Sequence, residues 1–349
     1  MKRSRISRIL MMLSAVALLA VFFPTVASAQ APPTVTVSES YSGLEPLGAG
    51  FLYEGWLIID GAPVSTGTFS IDASGAVVPV TTADIPNAAD AATFVLTIEP
   101  SPDPDPAPAD THVLAGDFVD GVATLSIGHP AALATDFSTA TGSYIVATPT
   151  TADTSDEYSG IWFLELPGGA PPPGPSLDLP TLPAGWQYEG WTVAGGTPIS
   201  TGTFLSASGS DNFGGFSGPD PAPPFPGEDF IVNPPAGLTF PRDVSGYPVV
   251  ISVEPFPDDS PAPFALKPLT GQVPDPVVTG ADVSNPLEFS PDNLGGTVSL
   301  TDGCAIPIAT EPEIAFTGAD SDDLAILGMT LIALGAMAAV GQRRFAREI

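Results

Sequence analysis

Positive charge is what this chain has least of. Its 349 residues hold 9 Lys and Arg against 39 Asp and Glu, and most of the bases sit at the ends: Lys2, Arg3, Arg5 and Arg8 open the chain, and Arg343, Arg344 and Arg347 close it. Between residues 30 and 318 only Arg242 and Lys267 face 35 acidic residues. Such a surface repels phosphate, which argues against nucleic acid as a partner and against attraction to anionic lipid headgroups. Cysteine is nearly absent. Cys304 stands alone, so no disulfide can form within the chain; in an exported protein it either cross-links to a partner or lies buried near Ile306. The two histidines, His112 and His129, belong to no recognisable nucleophile or metal motif, and each is expected in an exposed loop or strand. No internal segment sustains a helical period. These absences argue against a helix-rich enzyme core. Acids are so numerous that no pair stands out for glycoside hydrolysis, so no catalytic residue, cofactor or metal site is assigned.

Turn formers and apolar residues are plentiful: 36 Gly, 42 Pro and 44% hydrophobic residues. At about 150 residues per domain the length allows two domains. Short apolar or alternating blocks between turn residues predict strands. Residues 56–59 lead through Asp60-Gly61, a strong hairpin signal, into residues 64–69. Residues 93–98, 122–127, 144–148 and 160–165 read as further strands.

Comparison of the chain with itself adds an internal duplication. Tyr53-Glu54-Gly55-Trp56 recurs as Tyr188-Glu189-Gly190-Trp191, and Pro63-Val64-Ser65-Thr66-Gly67-Thr68-Phe69 recurs as Pro198-Ile199-Ser200-Thr201-Gly202-Thr203-Phe204, both at an offset of 135. Further on, residues 95–100 match 250–255 and Pro106-Ala107-Pro108 matches Pro261-Ala262-Pro263, with the offset grown to 155. The extra residues fall in the Gly/Pro-rich stretch 209–229, expected as an inserted surface loop. The predicted fold is all-β: two tandem antiparallel β-sandwich or barrel modules, with Tyr53, Trp56, Phe69, Tyr188, Trp191 and Phe204 as the repeated core. The expected partition is a signal peptide (1–29), a first module (30–166), a proline-rich spacer (167–183), a second module (184–272), a stalk or late strands (273–313) and a sorting segment (314–349).

The ends read as export and anchoring. A basic stretch, an apolar run over residues 9–23 and the small residues Ala27-Ser28-Ala29 form an export signal cleaved before Gln30. The alternative is a retained membrane anchor; no cysteine follows the cleavage site to carry a lipid. Residues 324–340 lack charge and are just long enough for a bilayer core, and the basic tail behind them belongs on the cytoplasmic side. Ile314-Ala315-Phe316-Thr317-Gly318 precedes that segment. The order pentapeptide, apolar helix, basic tail resembles a sortase sorting signal, with Ile314 and Ala315 departing from the LPxTG form toward LAxTG. The resemblance implies a sortase as processing partner, cutting between Thr317 and Gly318; the alternative is a plain membrane anchor. The protein is expected outside the cell, held at its C-terminus.

The repeated residues also carry a family resemblance. The Tyr-Glu-Gly-Trp strand, the hairpin into Pro-Val-Ser-Thr-Gly-Thr-Phe, the Thr-Ile-Glu-Pro strand, the Pro-Ala-Pro turn and Leu114-Ala115-Gly116 resemble the extracytoplasmic C-terminal domain of anti-sigma-K factors. The likeness covers about 35–125 well and about 180–272 less fully, where Leu269-Thr270-Gly271 replaces the last element. In that family a cytoplasmic helical domain grips the sigma factor. Here the expected cytoplasmic piece is residues 341–349, so the resemblance implies reuse of the outer module alone. Two roles are expected to compete: a non-enzymatic surface protein that meets an unknown protein or glycan or serves a structural role, and an extracytoplasmic partner in sigma-factor signalling.

Glu54 and Glu189 recur between aromatic residues. They are expected as strand carboxylates, exposed or bonded to a local turn, and the alternative is a ligand contact made twice. Asp103, Asp105 and Asp110, with Asp258 and Asp259 in the second copy, crowd proline-bounded turns. They lack the glycine-punctuated spacing of calcium loops and are expected as solvated acidic turns.

Overall fold

The computed structural model describes residues 34–78, 82–258, 260–280 and 282–302. Ala27, Ala29, Gln30, Asp259, Cys304, the pentapeptide 314–318 and the apolar stretch 324–340 lie outside the described residues. Among those described, no helix is long and apolar enough to cross a membrane.

The described chain is antiparallel β-structure with two short 3-10 turns, Ala88–Asp90 and Pro167–Gly169. Strands β1 (Thr34–Ser42), β2 (Phe51–Ile59), β3 (Ala62–Ile71), β4 (Val77–Val78), β5 (Thr82–Pro86), β6 (Ala91–Pro100), β7 (His112–Val119) and β8 (Val122–Leu125) come first. Then follow β9 (Thr141–Val146), β10 (Gly160–Trp162), β11 (Leu164–Glu165), β12 (Gly174–Pro175), β13 (Leu177–Asp178), β14 (Trp186–Ala194) and β15 (Thr197–Phe204). Last come β16 (Gly227–Asp229), β17 (Pro248–Pro255), β18 (Leu269–Gln272), β19 (Asn285–Phe289) and β20 (Gly295–Asp302). One sheet runs β4-β3-β2-β6-β7-β8-β20-β1-β5 and nearly closes, since β3 approaches β5. The other runs β15-β14-β17-β18-β19-β9-β10-β16, with β13 added on β9, and nearly closes where β15 approaches β16.

Sheet membership cuts across the expected partition. Strands β9 and β10 precede residue 167 yet pair in the second sheet, and β20, within the expected stalk, lies between β8 and β1 of the first. The second sheet is therefore an insertion between β8 and β20. An unpaired sheet edge leaves a row of backbone donors and acceptors without partners. β20 meets that need on both sides, from Val35↔Asp302 to Ser42↔Gly295 and from Gly296↔Leu125 to Ser299↔Val122. The proline-rich stretch is not a free spacer either: β12 pairs with β11, β13 pairs with β9, and the Tyr188 hydroxyl donates to the Pro180 carbonyl at 2.6 Å. Stretch 209–229 is likewise more than a surface loop, because it ends in β16, a buried edge strand paired with β10.

The repeated segments occupy matching places. In the first sheet Tyr53 faces Phe69, Gly55 faces Gly67 and Trp56 faces Ser65; in the second Tyr188 faces Phe204, Gly190 faces Gly202 and Trp191 faces Ser200. On the other side Glu54 faces Thr97 and Glu189 faces Ser252. A bulge follows Gly55 and Gly190, leaving Thr66 and Thr201 as the extra residues. Each bulged threonine lies over the opposite glycine: a Cβ on Gly55 or Gly190 would come within 2.3 Å of its Oγ1. This explains the glycine inside each Tyr-Glu-Gly-Trp strand. Asp60 and Gly61 both adopt positive φ (50° and 79°), the type I′ geometry that matches strand twist, as do Gly195 and Gly196 in the second hairpin.

Inside, Tyr53 stacks on Phe69 at 5.5 Å and Tyr188 on Phe204 at 5.8 Å, and one apolar cluster runs through both sheets. Trp56 and Trp191 are also buried, but Trp56 packs in a separate cluster with Val95, Ala115 and Ala132. In β20, Val298 is fully buried. Val298→Asp is expected to cost about 3 kcal/mol or more, since a buried charge would find no base. A stalk residue would tolerate the change, so an unaltered urea midpoint would contradict the pairing of β20.

Candidate functional site

The strands β2, β6, β14 and β17 carry polar side chains that are nonetheless buried. In the first sheet Trp56 Nε1 donates to Thr97 Oγ1 at 2.9 Å, Thr97 Oγ1 donates to Glu99, and Glu99 Oε1 accepts the Ala109 N–H at 2.9 Å. Beside them Glu54 accepts from Ser65 Oγ, which in turn accepts the Gly67 N–H at 3.0 Å. The second sheet repeats the arrangement. Trp191 Nε1 donates to Ser252 Oγ at 2.8 Å, Ser252 Oγ donates to Glu254 Oε1, and the same oxygen accepts the Phe264 N–H at 2.8 Å. Glu189 accepts from Ser200 Oγ, and Ser200 Oγ accepts the Gly202 N–H at 3.0 Å. Period-2 spacing puts Thr97 with Glu99, and Ser252 with Glu254, on one face of each strand. The proline-bounded loops fold over that face and are pinned to it by their Ala109 and Phe264 amides.

Glu54 and Glu189 are thus not exposed: both are buried, at 7% and 6% exposure, and each is bonded to a serine beside the bulge of the paired strand. Sequence reasoning singled them out and passed over Glu99 and Glu254, which are buried deeper. The available signal was the Thr-to-Ser exchange between copies, which keeps a hydroxyl two residues before the glutamate.

In the second module the acids converge. One carboxylate oxygen each from Glu189, Glu254 and Asp258 lies within 4.8 Å of the others. Burial, with Asp258 nearby, pushes Glu189 up to about 7; burial, with Glu189 and Asp258 nearby, pushes Glu254 up to about 8. Asp258 also caps its own turn, accepting the Ser260 N–H at 2.9 Å. Asp103 and Asp105 do the same in the first module, accepting the Asp105 and Ala107 amides at 2.9 and 3.0 Å on the exposed surface. Asp110 is exposed.

A third buried acidic group surrounds β16. Asp229 accepts from Trp162 Nε1 at 2.7 Å and from the Thr150 N–H at 2.8 Å, and Glu228 accepts the Phe216 N–H at 3.1 Å. Asp211 accepts the Gly227 N–H at 2.7 Å. The histidines serve loop geometry: His112 Nδ1 bonds the Ala131 carbonyl at 2.9 Å, and His129 Nδ1 accepts the Ala131 N–H at 3.1 Å while its Nε2 lies 3.4 Å from Asp117.

The second module also shows apolar surface. Leu205 and Phe256 are 76% and 63% exposed and line a cavity of about 300 Å³ with Leu182 and Trp186. Phe256 and the exposed Phe213 line a second cavity of about 330 Å³, which Glu189 and Asp258 also border. A third, of about 400 Å³, opens between the two sheets and is bounded by Glu45, Phe51 and Ile98 on one side and Glu254, Asp258 and Phe264 on the other. Lys267 bridges the same junction to Glu45 at 3.1 Å.

Residues 24–112 match the family of the anti-sigma-K factor rskA C-terminal domain. The matched stretch takes in β1 to β6, with Glu54, Trp56, Thr97 and Glu99, and ends at the start of β7. No curated protein and no solved structure gives a match.

Two outcomes test this geometry. Ser252→Ala strands a buried indole N–H and removes a donor from Glu254; the expected loss is about 2–3 kcal/mol of stability, read from urea unfolding followed by tryptophan fluorescence. Separately, burial pushes Glu228 from 4.5 up to about 7 and Asp211 from 3.8 up to about 6. A carboxyl whose pKa is raised on folding holds its proton more tightly in the native state. Its stabilising share is therefore complete below the unfolded value and lost as pH rises through the folded one. The wild type is expected to lose stability relative to Glu228→Gln between pH 4.5 and about 7; parallel pH profiles of the two urea midpoints would refute this.

Proposed function

We propose that the chain is an exported, non-enzymatic surface protein, anchored at its C-terminus, that presents two anti-sigma-K-factor-C-like β-modules to another surface protein or glycan. On this reading the second module is a diverged copy of the first, a sortase processes the 314–318 signal, and the apolar segment 324–340 holds the chain at the membrane until then. The observation that carries the binding role is the grouping of Leu205, Phe213 and Phe256 around two cavities of the second module. Exposed apolar side chains are ordinary when scattered; grouped at cavities and rimmed by polar residues they mark contact surfaces. Their aliphatic and aromatic make-up suits a protein partner better than a purely polar one.

A second reading, an extracytoplasmic regulatory partner in a sigma-factor system, is supported by the family match over residues 24–112. The two readings differ in what they capture. The full chain is mixed with intact surface material, and bound partners are identified beside those of a Leu205→Ser/Phe256→Ser variant. A surface protein or wall glycan held by the wild type, and reduced at least tenfold in the variant, is the expected result. A sigma-system membrane protein as the main partner selects the regulatory reading. Equal capture by both proteins rules out this face.

A further inference from the structure

We propose that Glu189, Glu254 and Asp258 bind a hard divalent cation, calcium, at the base of the cleft beside Phe256. The three residues come from three places, β14, the end of β17 and the turn after it, and each offers an oxygen within 4.8 Å of the other two. Calcium takes oxygen ligands at about 2.3–2.6 Å in flexible geometry, so one ion reaches all three. A set made of carboxylates alone, without histidine or cysteine, selects calcium or magnesium over zinc or copper. Calcium accepts irregular spacing, whereas magnesium demands near-ideal octahedral geometry.

The independent observation is Glu254 itself. It is fully buried, and its Oε1 is committed to the Ser252 hydroxyl and the Phe264 N–H. Its Oε2 is sealed from solvent and has no hydrogen-bond partner. A buried acceptor left bare costs free energy, and most buried polar atoms are satisfied. Among the described residues no base fills the role: Lys267 is held by Glu45, and Arg242 by the Tyr247 hydroxyl at 2.8 Å. A cation supplies what that oxygen lacks and offsets the repulsion among three acids. Cavities bordered by Glu189 and Asp258 on one side, and by Glu254 and Asp258 on the other, give entry and room for water ligands. The counterparts in the first module, Glu54, Glu99 and Asp103, are not gathered in this way among the described residues, so one site per chain is expected.

The test is calorimetric titration of the purified full chain with calcium chloride, repeated with magnesium chloride, and melting temperatures with and without calcium. The expected result is one saturable calcium site and a higher melting temperature. Glu254→Gln, which keeps the Oε1 acceptor, and Asp258→Asn, in the turn, are each expected to weaken binding at least tenfold and abolish the thermal shift. Glu99→Gln is expected to change neither. Non-saturating heats shared by all the proteins would show only an acidic surface collecting cations and would overturn the site; equal affinity for magnesium would overturn the assignment to calcium. The inference goes beyond the proposed surface role and does not need it: binding is read on the purified chain, and partner capture on surface material.

Discussion

The constraint on which the structure turns is the burial of carboxylates in a protein with almost no bases to pair them. Arg242 and Lys267 cannot serve Glu54, Glu99, Glu189, Glu228, Asp229 and Glu254, all of which are buried. The chain meets the demand with neutral donors instead: serine and threonine hydroxyls, indole N–H groups and loop amides. These bonds favour the ionised form against the burial that raises Glu54, Glu189, Glu228, Asp229 and Glu254, and several of them draw their donors from nearby backbone. A carboxylate on a strand therefore fixes the loop that covers it. Glu99 holds the turn before β7 through Ala109, and Glu254 holds the turn before β18 through Phe264. Both faces of β2 are buried, Tyr53 and Leu57 in the main apolar cluster and Trp56 in a separate one with Val95, Ala115 and Ala132.

The same economy governs the interlocking of the sheets. The first sheet is not complete in one continuous stretch, for β20 returns from the far end of the described chain to lie between β8 and β1, and the second sheet is built wholly from the stretch β9 to β19 inserted between them. Contacts of this kind join distant parts of the chain and cost loop entropy to form. In return they leave few open edges, and they make the two modules one body with a shared apolar cluster. A surface protein that must hold its contact face at a fixed angle gains more from such a body than from beads on a proline spacer.

What the sequence made legible was local. The Asp60-Gly61 hairpin, the strand character of residues 93–98 and the matching of Tyr53–Phe69 with Tyr188–Phe204 follow from turn chemistry, alternation and repetition, and these need no knowledge of the partner strand. What it hid was pairing. Gly295 to Asp302 is short, polar and glycine-led, and nothing in its pattern names β1 and β8 as its neighbours. Glu99 and Glu254 were hidden for a related reason. A glutamate on a strand reads as a solvent-facing residue unless the loop that covers it is known, and that loop is set by tertiary structure. The resemblance to anti-sigma-K factors is read over both modules, the family match lies over residues 24–112 alone, and the residues that carry the resemblance include the network's members without marking them as one.

The two modules differ most where the second has the longer chain. Stretch 209–229 supplies β16, which helps to close the second barrel, and it brings Asp211 against Gly202, Asn212 onto Thr203 and Phe213 to the rim of the cleft. Near the same cleft, Ser252 stands at the place that Thr97 takes in the first module. The smaller hydroxyl still serves Trp191 and Glu254, while the acids around it draw closer together than in the first copy. The repeated network is thus the part that both copies need in order to fold, since it pins the loops in each. The additions around β15 and β16 are not required by the first module, which closes by a different strand, β5. The apolar surface of Leu205, Phe213 and Phe256 therefore belongs to the part of the second module that the shared network does not require.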